Sequence, residues 1–124
     1  MARLILSEDN PEPEAIPELE ILVPSDAGDV GLFYEVTVRV KSTYSGDVQV
    51  LVRGGGIWWL QGHMERAVGR LYKLRCQFGK DSMGLGERFE IVAVARCGDI
   101  PLTSYSLPDR GDRSNIVSVR RTLG

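Results

Sequence analysis

From Leu19 to Arg121 apolar and polar residues alternate with period two, and that pattern confines the chain to β structure. Residues 32–40 read LFYEVTVRV. Tyr34, Val36, Val38 and Val40 fall on one face of such a strand, and Phe33, Glu35, Thr37 and Arg39 on the other. This describes an antiparallel strand with one buried face. Residues 46–53 repeat the pattern with Val48, Val50 and Val52, and residues 68–78 with Tyr72, Leu74, Cys76 and Phe78. Residues 87–96 differ. Phe89, Ile91, Ala93 and Ala95 line one side while Val92 and Val94 line the other, which predicts a central strand covered on both faces. Residues 19–23, 57–61 and 114–121 complete a set of about seven strands.

The breaks between these runs are turn chemistry. They are PSDAGDVG after residue 23, STYSGD, the triple glycine Gly54-Gly55-Gly56, and GKDSMGLG. Residues 97–113 carry two prolines and read as an irregular connection. Only GHMERAVGR, residues 62–70, has room for a helical turn. The fold class expected is all-β, an antiparallel two-sheet sandwich, with a single small barrel as the alternative.

At 124 residues the chain is sized for one folded domain. Charge divides it further. The first twenty residues hold six acids and one base, and the remainder holds eleven acids and fourteen bases. The segment NPEPEAIPE, residues 10–18, sets three prolines among carboxylates. It predicts an extended acidic arm over residues 1–18, followed by a β-sandwich domain over 19–124. A formal net charge of −2 argues against nucleic acid as the main partner. No apolar run approaches the ~18 residues of a membrane span, and MARLILS is too short for a signal peptide. The expectation is therefore no nucleic-acid or membrane partner and a cytoplasmic location, where Cys76 and Cys97 stay reduced unless adjacent strands bring them within bridging distance.

Catalytic constellations are hard to assemble from these residues. His63 is the single histidine and has no Ser or Cys near it in sequence. With Cys76 and Cys97 it gives too few ligands, at no metal-binding spacing, for zinc. Asp26 and Asp29 read as turn aspartates rather than a calcium loop. Glu87 and Glu90, three apart on a strand, point to opposite faces. The glycine clusters run into strands, where a phosphate loop needs a following helix. Arg110-Gly111-Asp112 spells an adhesion tripeptide that three letters produce by chance. No catalytic residue, metal or cofactor is expected.

Two features point to recognition instead. Trp58 and Trp59 are neighbours on a strand, so they face opposite sides: one enters the core and one faces out. An outward Trp calls for a cover within the chain, a protein partner or a sugar ring. Gln61 sits on the same strand. Arg110, Arg113, Arg120 and Arg121 make the C-terminal end basic and form a second candidate patch.

The order of these features also carries a resemblance. A Pro-Ser-Asp-Ala-Gly loop precedes a V-x-V-x-V strand. A Val-rich strand then leads to Trp58, Trp59 and Gln61. Phe78-Gly79, a glycine turn, Phe89-Glu90-Ile91-Val92-Ala93-Val94 and a final S-x-x-V-x-V-R strand follow. Over about 100 residues this resembles immunoglobulin-like or fibronectin-like β-sandwich accessory modules of bacterial multidomain proteins. The resemblance implies a non-catalytic module that binds a protein partner through its aromatic patch. Two alternatives stand beside it: a self-assembling structural subunit that exchanges its arm between copies, and a carbohydrate-binding module.

Overall fold

The computed structural model describes residues 19–41, 44, 46–81 and 83–123; the proposed arm, residues 1–18, lies outside them. Eleven strands form among the described residues, where about seven were expected. The long ones are those with period-two alternation: β1 (Leu19–Val23), β3 (Phe33–Val40), β4 (Gln49–Gly54), β5 (Ile57–His63), β7 (Leu71–Gln77), β8 (Arg88–Ala95) and β11 (Val117–Arg121). The additional ones are short: β2 (Gly28–Val30), β6 (Glu65–Arg66), β9 (Thr103–Ser104) and β10 (Asp112–Arg113). Two or three residues leave no periodicity to read; pairing with a neighbour defines such strands.

Two sheets result, and they do not close into a barrel. The smaller runs β1-β3-β7-β6; the larger runs β2-β11-β8-β4-β5-β9, with β10 also pairing β8. The larger sheet is mixed, which corrects the expected all-antiparallel arrangement: β2 runs parallel to β11, with Gly28, Asp29 and Val30 opposite Val119, Arg120 and Arg121. The reason is a strand that changes sheets. After β1 the chain turns at Pro24, behind a cis Val23–Pro24 peptide, and crosses to the larger sheet as β2. At the other margin β5 of the larger sheet continues into β6 of the smaller one. Met64 marks that second corner, buried and donating its N–H to the Val48 carbonyl. No helix forms among the described residues; the segment 62–70 is this corner followed by a turn.

Between the sheets lies the main core. Val36, Val38 and Val40 from β3, Val50 and Val52 from β4, Tyr72 and Cys76 from β7, and Phe89, Ile91 and Ala93 from β8 are all buried in it. Each fully buried valine, isoleucine or phenylalanine among them favours folding by roughly 1.5–3 kcal/mol over leaving it in water. Phe78 and Phe89 meet edge to face, with ring centroids 5.8 Å apart, just past the end of β7.

A second cluster lies on the outer face of the larger sheet. Leu51, Trp58, Val92, Val94 and Cys97 are buried there, with Ile100 and Leu107 packed over them. The irregular segment after β8 thus folds back as a cover. This is why β8 is apolar on both sides.

Candidate functional site

The β4–β5 hairpin positions the two tryptophans. Gly54 pairs with Ile57 around the two-residue turn Gly55-Gly56, whose φ values of 63° and 80° suit a type I′ hairpin and disfavour side chains. Beyond the turn, Arg53 faces Trp58 and Val52 faces Trp59. Trp58 is only 6% exposed. It lies in the outer cluster under residues 97–107, so the buried tryptophan avoids the inter-sheet core altogether. Trp59 shares its face with the core residue Val52 yet is 48% exposed. Its other neighbour is Thr103 of β9, at the margin of the larger sheet.

Gln61 occupies a bulge. Val50 pairs with Gly62 and Leu51 with Leu60, which leaves Gln61 without a partner in the ladder. Its Oε1 accepts the Gln77 N–H at 2.9 Å, tying β5 to β7 across the two sheets. This carboxamide therefore holds the margin on which Trp59 stands.

The four arginines do not gather into one patch. Arg110 is exposed on the covering segment, and Arg113 of β10 donates from Nη2 to the Pro108 carbonyl at 2.9 Å. Arg120 is exposed and pairs with Arg88, whereas Arg113 pairs with Val94. Six residues of β8 separate those two positions, about 20 Å along the strand. Arg121 departs from the expected surface patch most clearly, being 5% exposed. Its guanidinium donates to the carbonyls of Phe78 (2.6 Å), Met83 (3.1 Å) and Asp81, and so organises the loop between β7 and β8. Alternation in β11 puts Arg121 on the inward face with Val117 and Val119, and only its charge argued for the surface. The loop's carbonyls converge on Arg121 only after folding.

A cleft of about 500 Å³ opens between the covering segment and the outer face of the larger sheet. Leu51, Cys97, Ile100 and Leu107 supply its apolar wall, and Asp99 and Arg110 its charges. No sequence signal marks it, because its walls are joined only by the fold-back of residues 97–110.

The remaining reactive groups are accounted for by simple contacts. Cys76 and Cys97 are free and buried. Desolvation pushes the Cys76 thiol up to about 12. The Cys97 thiol is raised first by burial and then by the nearby Asp112 carboxylate. Both are thiols, not thiolates, at neutral pH. His63 is exposed, with Nδ1 3.0 Å from the Asp47 carboxylate. Asp26 accepts the Ser118 N–H at 2.8 Å and fastens the β1–β2 corner to β11. Among the described residues no helix is long and apolar enough to cross a membrane.

The described residues therefore define an all-β domain of two packed sheets with one exposed tryptophan at a sheet margin. No family model matches the chain, and no curated protein matches it. Solved structures do share its fold. An engineered protein superposes with a TM-score of 0.56 at 19% identity, over 98% of this chain and 22% of its own. An endo-β-1,4-mannanase from Thermotoga petrophila superposes with a TM-score of 0.58 at 10% identity, over 90% of this chain and 21% of its own. This chain thus spans about a fifth of the length of either. At these identities the likeness is one of fold.

Proposed function

We propose that this chain is a non-catalytic, immunoglobulin-like accessory module that binds a protein partner through Trp59. The exposure of Trp59 carries the reading. An indole left half in water beside a buried neighbour is costly in isolation, and tryptophan is the residue most enriched among the anchors of protein interfaces. The bonds beneath it support the same role. Gln61 fixes the margin of β5 to β7, so Trp59 stands on a rigid strand rather than a loop. The buried, protonated thiols give neither cysteine a nucleophilic role. Two free cysteines also fit the reducing cytoplasm we assign to the protein.

The test is affinity capture from native lysate with the full chain, Trp59→Ala, and Val68→Ala as a control at another exposed apolar position. A protein retained by wild type and Val68→Ala but lost with Trp59→Ala supports the module. Equal retention by all three removes Trp59 from the interface. Fluorescence quenched by glycans, with no protein captured, moves the assignment to the carbohydrate-binding alternative.

A further inference from the structure

The connection between β8 and β10 is an Ω-loop. Ala95 and Asp112 pair in register at its mouth, and an ion pair between Arg96 and Asp112 closes it. Residues 96–111 therefore leave the larger sheet and return to the same point. Two ties hold the loop between those ends: β9 pairs with β5, and Arg113 donates to the Pro108 carbonyl at 2.9 Å. Connections of this length with so little regular structure are most often functional. The cleft of about 500 Å³ lies within this loop, over Leu51 of β4. Ile100 from the outgoing limb and Leu107 from the returning limb pack with Leu51 to form its apolar wall. Its charges are Asp99 on the outgoing limb, and Asp109 and Arg110 on the returning one. All three are exposed, and none makes a hydrogen bond or ion pair with a described residue. The charges next to them are engaged elsewhere, Arg113 by Pro108 and Asp112 by Arg96. The cleft thus carries an unengaged carboxylate on one limb, an unengaged guanidinium on the other, and an apolar wall shared by both.

We propose that this cleft binds a dipeptide with free ends and apolar side chains. A ligand of one charge sign meets one limb and leaves the other unmet. A zwitterion meets both, with its ammonium at Asp99 and its carboxylate at Arg110, whose planar fork matches a carboxylate. Asp99 and Arg110 line one cleft without forming an ion pair, so the space between them is left to the ligand. Size favours two residues over one, because the volume falls within the range of small-ligand sites and the ends of a dipeptide lie roughly 6–7 Å apart. Apolar side chains bury against Leu51, Ile100 and Leu107. Asp109, beside Arg110 in the chain, disfavours a further negative charge and so excludes acidic side chains from that end. The ties at β9 and Pro108 hold both limbs in place before the ligand arrives, which lowers the cost of binding. Leu51 lines the outer face of the larger sheet, whereas Trp59 shares its face with Val52, so this proposal stands independently of the Trp59 surface.

The experiment is an NMR titration of the full chain with leucyl-leucine and its three end-blocked forms: N-acetylated, C-amidated, and blocked at both ends. Leucyl-leucine is expected to bind about threefold or more tighter than either singly blocked form, and the doubly blocked form to bind weakest. Amide shifts are expected at Leu51 and over residues 97–110. Glycylglycine, which has the charges without the side chains, is expected to bind at least about tenfold weaker than leucyl-leucine. Asp99→Asn is expected to abolish the gain from the free amine and keep the gain from the free carboxylate; Arg110→Gln is expected to do the reverse. Trp59→Ala is expected to bind like wild type. The ligand series on wild type decides the matter even where a variant fails to fold. Equal affinity for the four leucyl ligands overturns the proposal, as do shifts centred elsewhere or the absence of saturable binding at roughly 10 mM.

Discussion

Arg121 is the residue whose setting departs most from its chemical type. A buried guanidinium is tolerated here because three carbonyls of one loop accept from it, although its Nε has no partner. Removing the side chain strands those acceptors and leaves a void. Arg121→Ala is expected to lower stability by about 2–4 kcal/mol in urea unfolding, and Arg121→Lys to recover little, since an ammonium lacks the planar fork. Arg120→Ala, one residue away and exposed, is expected to stay within about 0.5 kcal/mol of wild type. Cys76 gives a prediction in pH. Its thiol is raised in the fold from an ordinary 9.0 to about 12, so between those values the unfolded chain ionises while the folded chain does not. Unfolding then releases a proton, and stability falls as pH rises through that window. The expected slope from this one group is about 1.4 kcal/mol per pH unit. It is measured as the difference between wild type and Cys76→Ala in the pH dependence of urea midpoints; parallel curves would show that Cys76 is not desolvated.

At the scale of elements, the long strands follow from side-chain alternation and the joints between them do not. Val36, Val38 and Val40 in β3 could be assigned to the core before any coordinates, and so could the double-sided burial of β8. The corners at Pro24 and Met64 could not, because a strand that changes sheets keeps its local geometry and alters only its neighbours. The same holds for β2 and β9, whose pairing exists only in the tertiary structure. Glycines in the loop between β7 and β8 show how local constraint differs from position to position. Gly79 and Gly86 have similar φ values of 83° and 80°. A Cβ on Gly79 would lie 2.1 Å from the Met83 carbonyl oxygen, whereas one on Gly86 meets nothing within 4 Å. Gly86→Ala is expected to cost about 1–2 kcal/mol, the backbone penalty alone. Gly79→Ala adds a clash with backbone and is expected to cost clearly more, about 3 kcal/mol or above. Equal losses in thermal unfolding would mean that the loop relaxes freely around Gly79.

The whole molecule is a sandwich with an added layer, and that layer decides which tryptophan is available. Sequence spacing required Trp58 and Trp59 to face opposite sides. It did not say which was covered, because the cover is supplied by residues 97–107, some forty positions downstream. The same fold-back creates the cleft beneath it and separates Arg110 and Arg113 from Arg120. Strand geometry alone was enough to place Trp58 and Trp59 on opposite faces, and the structure has one buried and one exposed. It did not show that Arg113 and Arg120 lie toward opposite ends of β8, because that separation depends on distant chain segments.

The most direct test of the central claim is calorimetric titration of the captured partner with wild type and Trp59→Ala. The account predicts affinity at least about thirtyfold weaker for Trp59→Ala, the loss typical of an anchor residue, with an unfolding midpoint close to wild type. Unchanged affinity in a folded Trp59→Ala protein would contradict it, and would place the recognition surface elsewhere on the sandwich.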